Sequence, residues 1–211
     1  MKNLRPFQHN IFSHILGTFV CLCAVWCISA CTEKRASAPS SKGIRVEVDS
    51  TLLDISVLDT ALNLTFRVPK DWKPLESSMQ AEMQAKLAQQ DTNDIRIAPK
   101  HVFKRVQGNS ALAVSELYFP SRFANTAQKI DEYTKRVKSG MDTSSCQVAT
   151  FTNNAIPITQ IMLRSQETVA FKLLIPSAGR VVQFDYILAL PEFNQNIRAV
   201  ESSIGSIFIS K

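Results

Sequence analysis

Residues 44–211 are predicted to form one α+β domain, an antiparallel β-sheet flanked by helices. Three observations carry that expectation. Runs of strict apolar alternation recur along this part of the chain, stretches of helical spacing separate them, and the last third holds four strand-like runs joined by very short connections. With 45% hydrophobic and 20% charged residues in a chain of 211, there is enough apolar material for one core of ordinary size.

The elements follow in order. "IRVEV" at residues 44–48 and "LNLTFRV" at 62–68 alternate, the second with Leu62, Leu64, Phe66 and Val68 on one face and Asn63, Thr65 and Arg67 on the other. That is the pattern of a half-buried strand, and Pro69, which has no N–H for a ladder, is expected to close it. From Pro74, "PLESSMQAEMQAKLAQQ" spaces Leu75, Met79, Met83 and Leu87 four apart, which predicts a helix with these methionines as core filler. "IRIAP" and "HVFKRVQG" predict a strand broken near Pro99, and "ALAVSELYF" its neighbour across a Gly108-Asn109 turn. "NTAQKIDEYTKRVKSGM" predicts a second helix, capped by Asn125 or Thr126, stopped by Gly140, and apolar along Ile130, Tyr133 and Val137.

The last third is the most regular. "CQVATF", an Asn153-Asn154 turn, "IPITQIMLRS", "TVAFKLLIP", a Ser-Ala-Gly turn and "RVVQFDYILAL" predict a four-stranded antiparallel meander. "PEFNQNIRAVESSIGSIFI" then places Phe193, Ile197, Val200 and Ile204 at helical spacing, so a terminal helix is expected to pack back on the sheet. No internal repeat is present.

The first forty-three residues have another character. Four of the five cysteines fall in "CLCAVWCISAC", residues 21–31, with one, three and three residues between them. Zinc sites pair cysteines two to four apart and need a second pair, whereas Cys146 stands alone far downstream. Cysteines crowded into one apolar run also cannot staple distant parts of a fold. The flanks explain the cluster. Residues 1–14 carry Lys2 and Arg5 and no acid, and residues 15–28 carry no charge, the order of a secretory signal. Fourteen apolar residues fall short of the twenty or so that span a bilayer.

The run ends "ISAC", which resembles the lipobox of bacterial lipoproteins, with Ile28, the small residues Ser29 and Ala30, and Cys31. The resemblance implies that residues 1–30 are a lipoprotein signal peptide, cleaved before Cys31. It also implies that Cys31 carries an S-diacylglyceryl group and an N-acyl chain, and that palmitate is incorporated there. An uncleaved signal anchor or an ordinary secretory peptide is the alternative. Cys21, Cys23 and Cys27 are then apolar passengers removed with the signal. Residues 31–43, "CTEKRASAPSSKG", lack a large apolar side chain and read as a lipid-anchored flexible tether. Thr32, in place of Asp, implies outer rather than inner membrane by the sorting habit of enteric bacteria, with the domain on the periplasmic face of the cell envelope.

A second resemblance covers residues 44–211. "LTFRVPKDW" is similar to the strand-Pro-x-x-Trp opening of PsbP-like domains, and "RVVQFDYILAL" followed by "VESSIGSIFI" resembles their final strand and helix. This implies a PsbP-like α-β-α sandwich, with Trp72 and Phe184 in the core. The family has no common activity, so no catalytic residue follows from it.

The residues argue against several chemistries. Past the signal the only histidine is His101, next to Val102 and Phe103 and read as structural or surface-lying, and no G-x-S-x-G elbow exists. His101 and Cys146 are too few soft ligands for a structural zinc site, so neither metal nor other cofactor is expected. Cys146 is read as a buried unreactive thiol, with an intermolecular disulfide as the alternative. Asp91 and Asp94 lack the Gly and distal Glu of a calcium loop and are read as a solvated turn. The formal charge of +6 falls to +4 beyond Lys2 and Arg5, and its basic residues are scattered among acids, which excludes a nucleic-acid partner. The expected function is a lipid-anchored binding or assembly module, partnered with the membrane through its anchor and with an envelope protein. A carboxylate-based periplasmic hydrolase and a passive envelope protein stand as alternatives, and the oligomeric state is open.

Overall fold

The computed structural model describes residues 47–81 and 94–210, all within the unit Gly43–Lys211. The predicted signal peptide 1–30, the predicted lipidation site Cys31 and the predicted tether 31–43 lie outside the described residues, as do residues 44–46 and Asp91.

Among the described residues, ten strands and two longer helices follow the order β1 (Leu53–Asp59), β2 (Leu64–Pro69), β3 (Trp72–Pro74), β4 (Arg96–Arg105), β5 (Ala111–Tyr118), α1 (Thr126–Ser139), β6 (Cys146–Asn153), β7 (Ile156–Arg164), β8 (Thr168–Ser177), β9 (Arg180–Ala189), α2 (Phe193–Gly205) and β10 (Phe208–Ile209). Seven strands form one sheet in the order β3-β4-β5-β9-β8-β7-β6, and β1-β2-β10 form a small second sheet. Every pairing is antiparallel. The fold is thus α+β, with antiparallel sheets and few helices, as the sequence predicts. After β5 the chain passes through α1 to the far edge of the sheet, and the meander β6–β9 returns it until β9 pairs with β5.

Period-two alternation sorts the large sheet into two apolar faces. From β9, Val182, Phe184, Tyr186 and Leu188 join Leu64, Phe66, Val68, Trp72, Val200 and Ile204 in the main core, which the small sheet and α2 cover. Val181 turns to the opposite face, where Tyr133, Ile130 and Val137 of α1 pack on Leu117, Ile161 and Leu174. The stripe predicted for β2 is fully inside, and Trp72 and Phe184 are buried as expected. Asn125 caps α1 by accepting the N–H of Gln128, and Gly140 ends the helix.

Several expectations are corrected. Glu47 and Val48 belong to no strand; the strand is β1, whose own alternation of Leu53, Ile55 and Val57 carries the signal. Pro99 does not break β4, because the chain absorbs it in a bulge between Pro99 and His101 and the ladder to β5 continues. Residues 77–81 are helical, but Met79 is 47% exposed rather than in the core, and Met83 and Leu87 lie outside the described residues. The terminal helix stops at Gly205, since Phe208 and Ile209 find unpaired backbone on β2, opposite Thr65 and Leu64. The turn after β6 is Asn154-Ala155, both at positive φ as a two-residue hairpin of right-handed twist requires.

Hydroxyl groups sew α2 to β2 where β10 no longer reaches. Ser206 Oγ accepts the N–H of Arg67 at 2.9 Å and donates to Ser203 O, while Ser203 Oγ donates to Arg67 O. Having given its proton there, Ser203 accepts from Tyr186, 2.9 Å away. The serines of "SSIGS" are structural ties.

A second tie joins the β4–β5 hairpin to the entrance of α2. The Glu192 carboxylate accepts the N–H of Asn109 at 2.8 Å and the hydroxyl of Ser110 at 2.7 Å, and Arg105 lies 3.2 Å away. Gly108 is required here, for its φ is +145° and a Cβ would sit 2.4 Å from Glu192 Oε1. Partial burial pushes the Glu192 carboxyl up, but the bonds from Ser110, Asn109 and Arg105 outweigh it and hold it below its ordinary value. A depressed carboxyl stabilises the fold fully above the unfolded value of about 4.3, and the contribution is lost as pH falls through the lower folded value. Glu192→Gln is therefore expected to flatten the acid limb of stability below about pH 4.5, measured by thermal melts at stepped pH. An unchanged acid limb would show the tie contributes nothing.

Candidate functional site

A concavity of the described surface lies where the β6 edge of the large sheet meets α2. It is a groove of about 770 Å³ lined by residues 47–50, by Ala149 and Phe151 of β6, by Gln160 of β7, and by Arg198, Glu201, Ser202 and Ile204 of α2. Each wall has a local cause. On α2 the apolar stripe of Ile197, Val200 and Ile204 turns to the core, which leaves Arg198 and Glu201 on the outer side. On β6, Phe151 reaches the edge of the main core while its neighbours Thr150 and Thr152 are exposed.

The end of the groove is fixed by asparagines. Asn153 Nδ2 donates to Ile204 O at 3.0 Å, and Asn154 Nδ2 donates to Gly205 O and Ile207 O, each at 2.9 Å. These bonds satisfy the orphan carbonyls at the C-terminus of α2 and lock the β6–β7 turn to it. At the other wall the N–H of Asp49 reaches Ser202 Oγ at 3.2 Å, and Asp49 Oδ1 caps the turn Ser50–Leu52 by accepting the N–H and hydroxyl of Thr51. The Thr51 hydroxyl, and then its N–H, hold the Asp49 carboxyl below the ordinary carboxylate value.

The rim is acidic. Glu47, Asp49 and Glu201 face one base, Arg198, whose nearest carboxylate contact is Asp49 at 4.0 Å. Glu47 and Glu201 have no ion-pair partner among the described residues. The floor, Phe151 and Ile204, is apolar. Nothing in this lining is a nucleophile beside a base; Ser202 is occupied as a hydrogen-bond acceptor and no histidine is near.

The residues singled out by sequence lie elsewhere. His101 Nε2 is 2.7 Å from Asp59 Oδ2, with its ring against Phe66 and Phe103, so it ties β4 to β1 as a structural histidine. Burial raises the Asp59 carboxyl, and the Leu62 N–H and His101 more than offset that, leaving it displaced downward. Cys146 is a free thiol, half-buried at the start of β6, beside the α1 layer. Asp94 is exposed and paired with Arg122 at 2.7 Å. In the basic run of α1, Lys135 pairs with Asp131 and Arg136 with Glu132, one turn away in each case.

A buried polar cluster sits under α1. Lys172 of β8 bonds the carboxylate of Asp185 on β9, yet Asp185 Oδ1 and Gln183 Oε1 are buried without a partner. Burial, and then the Asp185 charge, push the Tyr133 hydroxyl above its ordinary pKa. Among the described residues the carboxyls displaced from their ordinary values, those of Asp49, Asp59, Asp94 and Glu192, all move downward. A general acid at neutral pH requires the opposite shift. Among the described residues no group of three His, Cys, Asp or Glu could hold a metal ion, and no helix is long and apolar enough to cross a membrane.

Sequence reasoning did not find the groove. Its one legible trace is that β6, "CQVATFTN", contains no charge, although it proves to be an edge strand.

No protein-family model matches this chain, and no curated protein matches it. Among solved structures it is similar to cyanobacterial PsbP (CyanoP) from Synechocystis sp. PCC 6803, with 12% identity, 82% of this chain and 98% of the other covered, and a TM-score of 0.44. It is also similar to LpqN of Mycobacterium tuberculosis, a protein involved in cell envelope biogenesis, with 16% identity, 70% and 83% covered, and a TM-score of 0.45.

Proposed function

We propose that this protein is a lipid-anchored binding or assembly module of the bacterial envelope, tethered by residues 31–43 and engaging its partner in the groove between β6 and α2. The observation that carries the reading is the groove itself, which combines an apolar floor, a charged rim and fixed walls and holds no nucleophile–base pair. The charge order of residues 1–28, with "ISAC" after it, supports the address, and Thr32 supports the outer membrane. Acyl chains at Cys31 would give stable attachment where a single chain binds marginally.

Two measurements test this. Palmitate labelling in the native bacterium is expected to vanish in Cys31→Ala, and labelling that survives overturns the anchor. A photo-crosslinking residue placed at Arg198 is expected to capture one reproducible envelope partner, whereas the same residue at Lys138, on exposed α1, captures none. Equal capture at both positions, or none at Arg198, overturns a partner in the groove.

A further inference from the structure

The outer edge of the large sheet is unusually open. β6 pairs only with β7 among the described residues, and its ladder of eight consecutive pairs from Cys146↔Leu163 to Asn153↔Ile156 has no bulge. It contains no Pro and no charged side chain. Edge strands are ordinarily blunted by exactly those devices, because their free backbone groups template further pairing.

The register says which groups are free. Asn153 and Ile156 flank a two-residue turn and form a hydrogen-bonded pair, so Phe151, Ala149 and Gln147 bond β7 in their turn. The bond from the N–H of Arg164 to Ser145 O, 2.9 Å, continues the same parity. Val148, Thr150 and Thr152 therefore aim their N–H and C=O groups away from β7, along an exposed edge. Beside that edge lies the groove, with Ala149 and Phe151 on its floor side.

We propose that the groove and the β6 edge are one peptide-binding site, in which an extended cationic segment of a partner adds to β6 as an eighth strand. Main-chain bonds to Val148, Thr150 and Thr152 would hold it, and alternate side chains would fall into the groove. Charge complementarity selects the occupant. The carboxylates of Glu47 and Glu201 favour lysine or arginine over an acidic chain, and the aliphatic stems of those residues suit Phe151 and Ile204. A second copy is a poor occupant, since a two-fold pairing of β6 edges would bring each acidic rim towards its own duplicate. This inference rests on the groove being the partner site and specifies the partner's chemistry.

The test uses the full chain in detergent and two fluorescent, end-blocked octapeptides, one of alternating Lys and Val and one of alternating Glu and Val, followed by anisotropy. The Lys-Val peptide is expected to bind and the Glu-Val peptide to bind at least about tenfold more weakly. Thr150→Pro removes an outward N–H and no bond to β7, a position an edge strand tolerates, and should weaken binding about tenfold. Glu201→Lys, on an exposed helix surface, should weaken it about fivefold and decides the matter if Thr150→Pro does not fold. Equal binding of both peptides, no binding of either, or self-association of the protein in their place overturns the proposal. Crosslinking from Arg198 in cells separates the two levels. Capture that persists undiminished in Thr150→Pro sinks strand addition and leaves the binding module standing, whereas no capture from Arg198 in the otherwise unaltered chain sinks the module itself.

Discussion

Phe66→Ala is expected to destabilise the domain by about 3–5 kcal/mol, the range for emptying a fully buried aromatic site. Phe66 is wholly buried on β2, the central strand of the small sheet, and its ring meets Phe184 of the large sheet edge-on at a centroid distance of 5.0 Å. Phe103 and His101 of β4 flank it at 6.4 and 6.0 Å. Alanine would leave a void between two sheets whose backbones are each fixed by their own ladders, so little collapse can refill it. For a domain of this size the loss corresponds to a fall of roughly 10 °C in Tm. Phe66→Leu, which keeps most of the volume, should cost about 1–2 kcal/mol. Urea unfolding of both variants checks the order; a Phe66→Ala cost near 1 kcal/mol would mean that the two sheets do not share one core.

Asp185→Ala is the second large effect, expected at about 3 kcal/mol because it leaves the Lys172 ammonium without its counter-charge. The two side chains are only 19% and 13% exposed, so water can replace little of the lost partner. The double variant Lys172→Met with Asp185→Leu should recover most of the loss, since apolar residues of similar volume often substitute for a buried pair without penalty. Their site favours this, with Val181, Leu174 and Tyr133 close by on the same face and two acceptor oxygens there already unpartnered. Denaturant unfolding of Lys172→Met, Asp185→Leu and the double gives the coupling. Additive losses would show that Lys172 and Asp185 act independently.

Much of the site escaped the sequence for a physical reason. The groove is built from the chain around residue 48, the edge β6 and the outer side of α2, which lie up to 157 residues apart and share no local pattern. Arg198 and Glu201 look like ordinary solvent-facing members of an amphipathic helix, and only the capping of α2 by Asn153 and Asn154 brings them beside Phe151. The strand β1 is different: its alternation is legible in Leu53, Ile55 and Val57, whereas Glu47 and Val48 at the end of the equally alternating "IRVEV" join no strand. Pro99 misled by a general rule, for a bulge can absorb a proline that a regular ladder cannot.

Local pattern determined the elements whose cause is local. The alternation of β2, the cap of α1 by Asn125 and the turn at Ala178 and Gly179 follow from side-chain period, φ preference and hydrogen-bonding groups within a few residues of one another. The order of residues 1–31 likewise predicts an address at the membrane without any tertiary contact. Tertiary structure alone decided that β9 returns to pair with β5, that β6 is thereby left at the edge, and that Ser203 and Ser206 bind the backbone of Arg67. Those outcomes depend on which faces and edges bury each other at long range, where alternation says that a face is apolar and is silent about what will cover it.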